Sequence, residues 1–126
     1  MPDSAPDPAS DPVSAPCPLT QAFLDSMRGK EAFLNRLFTV FVTEEPKRIE
    51  EIRQVLARND RERLRYLAHS LKGSAATMGA ETLKDCCKAL ELASEDNDPA
   101  GVDRRFAELE AEIGRVFAYM QARLDF

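Results

Sequence analysis

The sequence predicts an all-α protein, an antiparallel four-helix bundle with one additional short N-terminal helix. From Pro18 onward, apolar residues recur at steps of three and four, the spacing of helices with one buried face. Glycine is scarce, at 5 of 126 residues, and aromatic residues make up only 7%. A β-sandwich would need more β-branched residues and more turn glycines. Four sizeable amphipathic helices joined by short loops bury their apolar faces most simply as an antiparallel bundle.

The first 18 residues differ from the rest in composition. They hold six of the eight prolines and three aspartates, and they contain no lysine or arginine. Proline fixes φ and removes a backbone donor, and the segment has little apolar surface to bury. We therefore expect a disordered tail over residues 1–18 and a single helical bundle over residues 19–126.

The first two predicted helices are separated by a glycine. A short helix from about Thr20 to Arg28 ends at Gly29, by the usual preference of glycine for helix C-termini. It would bury Phe23, Leu24 and Met27. The second helix contains Pro46, so we expect either a kink or a restart near residues 43–46. Its apolar positions are Phe33 or Leu34, Leu37, Phe38, Phe41, Val42, Ile49, Ile52, Val55 and Leu56.

Cap signals mark the remaining helices. Asn59 and Glu62 have the spacing of a capping box, which begins a third helix that Gly79 ends. The fourth helix carries Ala80, Leu83, Cys87 and Leu90. Asp98 and Pro99 are predicted as N-cap and first residue of the last helix. Its apolar positions are Val102, Phe106, Leu109, Ile113, Val116 or Phe117, Met120 and Leu124.

Charge and composition exclude several classes of function. The net charge of −5 disfavours binding to nucleic acid and to anionic membranes. No apolar run approaches the roughly 18–20 residues of a membrane span, and the N-terminus lacks the features of a signal peptide. Three cysteines, two of them adjacent, do not suggest a disulfide framework. We expect a cytoplasmic protein with reduced cysteines.

The single histidine, His69, does not fit the buried face of its helix. The apolar face of the third helix falls within a sector of about 100° on a helical wheel; it consists of Leu64, Leu67, Ala68, Leu71, Ala75 and Met78. His69 lies about 150° from the centre of that sector. It therefore faces solvent, on the side of Glu62, Arg65, Lys72, Gly73 and Ala76.

The neighbours of His69 on this face favour a site that meets a large anionic partner. Gly73 lies one turn beyond it, although glycine costs about 1 kcal/mol relative to alanine inside a helix. Together with Ala76 it leaves the approach to the ring free of side chains. Lys72 places an ammonium group beside the ring. Imidazole is largely neutral and nucleophilic at neutral pH, and its N–P bond is labile, so it can take and pass on a phosphoryl group.

Residues 68–91, AHSLKGSAATMGAETLKDCCKALE, resemble the histidine-containing phosphotransfer (HPt) domains of two-component phosphorelays. The resemblance covers roughly residues 20–125 and centres on the segment from His69 to Ala76. It implies that His69 is phosphorylated through its outer ring nitrogen, that Lys72 offsets phosphoryl charge, and that Gly73 allows the partner to approach. Exposed residues beside His69 are candidates for docking the partner: Arg65, Tyr66 and Ala76.

The resemblance also implies the partners and the cofactors. The partner is a receiver domain of a response regulator or hybrid histidine kinase, whose aspartate and bound Mg²⁺ supply most of the chemistry. The HPt domain itself is a phosphocarrier that needs no cofactor or metal, and we expect it to be monomeric. One position departs from the family. Several members have glutamine 22 residues after the histidine, where this chain has Glu91. A carboxylate does not stabilise phosphate oxygens, so either Glu91 turns away or the phosphorylated form is less stabilised; Glu91 is not counted among the predicted site residues.

Other functions fit the residues less well. Adjacent cysteines cannot form a C-x-x-C metal knuckle, and Ser70 and Ser74 do not face His69 as a nucleophile would. No nucleotide-binding glycine loop is present, so we expect no autonomous kinase activity. The alternative that stays open is a non-transferring helical adaptor, which would dock receiver domains or other helices.

Overall fold

The computed structural model describes residues 17–96 and 98–124. The predicted tail lies outside the described residues except for its last two positions, so its disorder stays a prediction. The described chain joins the core at Leu19, which is 3% exposed. The backbone N–H of Thr20 then donates to the carbonyl of Gly79 (2.8 Å). This bond attaches the start of the chain to the loop that follows the histidine-bearing helix.

The described residues form five helices and no strand. The helices are α1 (Gln21–Ser26), α2 (Glu31–Ala57), α3 (Arg61–Thr77), α4 (Glu81–Glu95) and α5 (Pro99–Leu124). α3 packs between α2 and α4, and α5 packs against α2 and α4, so four helices close a ring around one core. The predicted four-helix bundle with a short additional helix is confirmed. None of the helices in the described part of the chain is long and apolar enough to cross a membrane.

The predicted apolar faces meet in a single core. Its largest completely buried side chains come from all four long helices: Phe38, Ile52, Leu64, Leu71, Leu83, Leu90, Leu109 and Met120. Burial of each such side chain stabilises the fold by about 1.5–3 kcal/mol. α1 contributes less than predicted. It ends at Ser26, three residues before Gly29 (φ +78°), and Phe23, Leu24 and Met27 are only partly buried.

α2 continues through Pro46, so the predicted restart near residues 43–46 is wrong. Proline removes one backbone hydrogen bond and disfavours a helix interior. The apolar positions nevertheless keep the same helical phase on both sides of it, with Phe41 and Ile49 both buried. Packing of this face against the core outweighs the local cost of the proline.

The caps agree with the sequence at one helix and differ at another. The side chain of Asp98 accepts from the N–H of Gly101 (3.2 Å), and α5 begins at Pro99 as predicted. α3 is capped by Asp60, whose side chain accepts from the N–H of Arg63 (3.1 Å). Asn59, the predicted cap, is the preceding loop residue with φ +60°, a left-handed conformation that asparagine tolerates. The predicted capping box was therefore wrong by one position.

Candidate functional site

α3 holds His69 in solvent, as its position on the helical wheel predicts. The side chain of His69 is 66% exposed, whereas Ala68, Leu71 and Ala75 on the opposite face are completely buried. Packing of that face fixes the rotation of α3 about its axis. The exposure of the imidazole is therefore a consequence of the core rather than of local flexibility.

Glu91 contacts both His69 and Lys72, which sequence reasoning did not predict. The Nδ1 atom of His69 lies 3.1 Å from Glu91 Oε2, and Lys72 Nζ donates to Glu91 Oε1 at 2.9 Å. Glu91 lies on α4 and is only 17% exposed. Of the two alternatives stated for Glu91, the one in which its carboxylate turns away is wrong, because α4 packs directly against α3 and places Glu91 beside His69 and Lys72. The sequence did contain one signal for this contact: Glu91, whose side chain can form hydrogen bonds, follows His69 by 22 residues.

The carboxyl group of Glu91 is ionised at neutral pH. Its partial burial acts to raise its pKa, but hydrogen bonds from Lys72 and His69 and the positive charge of Lys72 outweigh this effect. The pKa of Glu91 is therefore below its ordinary value. A carboxylate without a proton can only accept hydrogen bonds, so the neutral His69 ring carries its proton on Nδ1. The second ring nitrogen, Nε2, has no hydrogen-bond partner among the described residues and keeps its lone pair.

The chain itself does not require a glycine at position 73. A Cβ atom added at Gly73 would meet nothing within 4 Å, and the backbone there is helical rather than left-handed. Ala76, one turn further along, is also exposed. No large side chain therefore projects from positions 73 and 76 beside His69, and no contact within the described chain accounts for the glycine.

Two shallow depressions of opposite charge flank His69. The first is lined mainly by acidic and aromatic side chains: Glu62, Arg65, Tyr66, Glu91 and Glu95. The second is lined by three lysines and two small residues: Lys72, Gly73, Ala76, Lys84 and Lys88. The predicted docking residues are thus divided between them. Arg65 lies 3.9 Å from a Glu95 oxygen, and Tyr66 is 60% exposed beneath the Arg63 guanidinium.

A partly buried polar cluster next to Gly73 attaches α3 to α2. The Nη1 atom of Arg48 donates to Glu45 Oε1 (2.7 Å) and to Ser74 Oγ (3.2 Å). Burial raises the pKa of Glu45, and the opposing effects of Arg48 and Ser74 do not cancel this rise. These bonds fix the part of α3 that carries Gly73, and the sequence alone gave no reason to join residues so far apart.

No three His, Cys, Asp or Glu side chains in residues 17–96 and 98–124 form a group suited to a metal ion. Cys87 lies in the core, where burial raises the pKa of its thiol to about 12. Cys87 is therefore a small apolar core residue, as its position on the apolar face of α4 indicates.

Comparison with known proteins identifies the class. The Hpt domain family matches residues 36–119, which include α3, α4 and their contacts. The chain therefore belongs to the Hpt domain family, and the protein is a phosphocarrier that functions in a phosphorelay.

A solved structure gives the same fold. The chain is similar to the histidine-containing phosphotransfer protein ZmHP2 from maize, with a TM-score of 0.77 and 22% sequence identity. The match covers 86% of this chain and 83% of the maize chain. Comparison with curated protein sequences gives no significant match.

Proposed function

We propose that His69 is the residue that carries the phosphoryl group. It would accept the group at Nε2 from the aspartyl phosphate of a receiver domain, or from a histidine kinase system, and pass it to the aspartate of another receiver. The observation that carries this proposal is the state of the ring. His69 is exposed on a rigid helix, with Nδ1 occupied by Glu91 and Nε2 unpartnered within the described residues.

The transfer needs little chemistry from the carrier. The Nε2 lone pair attacks phosphorus, the N–P bond forms, and the O–P bond to the receiver aspartate breaks with its electron pair remaining on the carboxylate oxygen. The return reaction reverses these changes. Mg²⁺ bound by the receiver would offset phosphoryl charge in both directions, so the carrier would need no cofactor of its own. Without a nucleotide-binding glycine loop, the carrier would have no autonomous kinase activity. Cytoplasmic receivers would place this reaction in the cytoplasm.

Lys72 and Gly73 would assist in different ways. Lys72 Nζ is hydrogen-bonded to Glu91 and lines one depression with His69, so its ammonium group can move to a phosphoryl oxygen. Gly73 gives the rim of the receiver's active site a close approach to α3. Arg65, Tyr66 and Ala76 would dock the receiver, and a monomer keeps this face free.

The test is phosphorylation of wild type and His69→Gln by phosphorylated receivers of the source organism. We expect an acid-labile label on wild type and none on the variant, with the same circular dichroism and melting temperature for both. Labelling of His69→Gln at the wild-type level would contradict the role of His69. Receiver binding by wild type without any labelling would instead favour the adaptor.

A further inference from the structure

Glu91 distinguishes this site because a charged carboxylate contacts the inner nitrogen of the ring. The 3.1 Å distance from its Oε2 to His69 Nδ1 and the 2.9 Å distance from its Oε1 to Lys72 Nζ leave both carboxylate oxygens engaged. Lys72 holds the carboxylate from the other side, and Glu91 is largely shielded from water. The hydrogen bond to Nδ1 is therefore fixed by the packing of α3 against α4.

The contact between Glu91 and Nδ1 has a larger effect on the charge of the ring once His69 is phosphorylated. In the neutral ring, the single proton lies on Nδ1, where the Glu91 carboxylate accepts it in a hydrogen bond. Formation of the Nε2–P bond uses the remaining lone pair, so the ring with both nitrogens substituted carries a positive charge. A neighbouring carboxylate favours that charged form over the neutral ring that would result from loss of the Nδ1 proton. An uncharged amide at the same position accepts the same hydrogen bond but stabilises the cation much less.

We propose that Glu91 retains the proton on Nδ1 of phosphorylated His69, so that the ring departs as neutral imidazole and the protein is a fast phosphoryl donor rather than a long-lived store. The proposal rests on His69 being the carrier. In the donating step the Nε2–P bond breaks and its electron pair returns to Nε2. A carboxylate oxygen of the receiver, or water in hydrolysis, forms the new bond to phosphorus, while the Nδ1 proton stays in place.

Other charged groups face the ring from both helices that surround it. α3 contributes Glu62, Arg65, Tyr66 and Lys72, and α4 contributes Lys84, Lys88, Glu91 and Glu95. Among these groups of the described chain, Glu91 is hydrogen-bonded to the ring, and Lys72 is hydrogen-bonded to Glu91 rather than to the ring. Glu95 lies one turn beyond Glu91, lines the same depression and is 48% exposed. It therefore provides a matched control for removal of a negative charge near the ring without loss of the Nδ1 contact.

The experiment uses chemical phosphorylation, which requires no cognate kinase. Wild type, Glu91→Gln, Glu95→Gln and His69→Gln are treated with phosphoramidate and purified. Loss of the phosphoryl group is then followed by ³¹P NMR between pH 5.5 and 9. We expect the pH at which the hydrolysis rate falls to lie about 0.5–1 unit higher for wild type than for Glu91→Gln, since the exposure of the His69 ring to solvent reduces the effect of the ion pair. Near pH 8 the wild-type phosphoryl group should be lost several-fold faster, and Glu95→Gln should follow wild type.

The outcomes separate this inference from the proposed function. Superimposable pH profiles for wild type and Glu91→Gln would overturn the inference while leaving His69 as the carrier. A rate difference that is the same at every pH would also overturn it, because simple charge repulsion between Glu91 and the phosphoryl group would act in that way. Undiminished phosphorylation of His69→Gln would contradict both.

Discussion

The two faces of α3 obey different requirements. On the inner face Leu64, Leu71 and Ala75 are buried to 2% exposure or less, and each is surrounded by the core. On the outer face Gly73 has open space around it and His69 is two-thirds exposed. The inner face contributes to stability and orients the helix, whereas the outer face contributes little to stability and is shaped for contact with another molecule. Substitutions on the two faces should therefore separate stability from transfer.

The largest expected effect on stability is at the inner face. Leu71→Ala removes a completely buried side chain and should lower the free energy of unfolding by about 2–5 kcal/mol. Val40→Ala, at an aliphatic position 60% exposed, is the control and should change it by less than about 0.5 kcal/mol. Urea denaturation followed by circular dichroism measures both. Equal effects of the two substitutions would contradict the assignment of the inner face.

Substitution of Gly73 should change the free energy of unfolding only slightly but should slow phosphoryl transfer strongly. Gly73→Gln should slow transfer from a phosphorylated receiver at least about tenfold, which corresponds to ~1.4 kcal/mol. It should leave stability unchanged or raise it by up to about 1 kcal/mol, since glycine is unfavourable inside a helix. Rapid-quench transfer assays and thermal denaturation measure the two quantities.

The chain offers a matched control for this substitution. Gly114 also lies in a helix, α5, and a Cβ atom there would also meet nothing within 4 Å. Gly114→Gln should have the same effect on stability as Gly73→Gln and no effect on transfer. If both variants transferred at the wild-type rate, the open surface at Gly73 would have no role in partner approach.

The smallest effect is expected for the tail. We propose that residues 1–16 do not contribute to the stability of the bundle. Deletion of residues 1–16 leaves Cys17 beside Tyr119 and should change the free energy of unfolding by less than about 0.5 kcal/mol. A loss of several kcal/mol in thermal or urea denaturation would mean that the tail packs against the helices.

The sequence predicted the inner face of α3, and with it the exposure of His69. Apolar residues at helical spacing mark the buried face of a helix, so the opposite face is exposed. The sequence left open whether α2 is kinked or restarts near Pro46, because the local cost of proline can be outweighed by packing on both sides of it, and the helix does not restart. The cap of α3 was misplaced because Asn59 and Asp60 are both good cap residues and only the backbone conformation distinguishes them.

The role of Glu91 was the most consequential omission. Its contact with His69 depends on how α4 is positioned along α3, and no periodicity within one helix contains that information. A comparison with the family's glutamine left two alternatives, that the carboxylate turns away or that the phosphorylated form is less stabilised, and the structure contradicts the first. The Glu91 carboxylate can lie beside His69 because Lys72 Nζ donates a hydrogen bond to it at 2.9 Å and offsets its negative charge.

The central claim is that Nε2 of His69 carries the phosphoryl group while Nδ1 retains its proton. Because the chain has a single histidine, long-range ¹H–¹⁵N correlation of ¹⁵N-labelled, phosphorylated protein reports on this ring alone. Coupling to ³¹P should appear on Nε2, with Nδ1 showing the chemical shift of a protonated nitrogen near neutral pH. Phosphorus coupling on Nδ1, or a phosphorylated protein whose ring nitrogens are both uncoupled, would contradict the account.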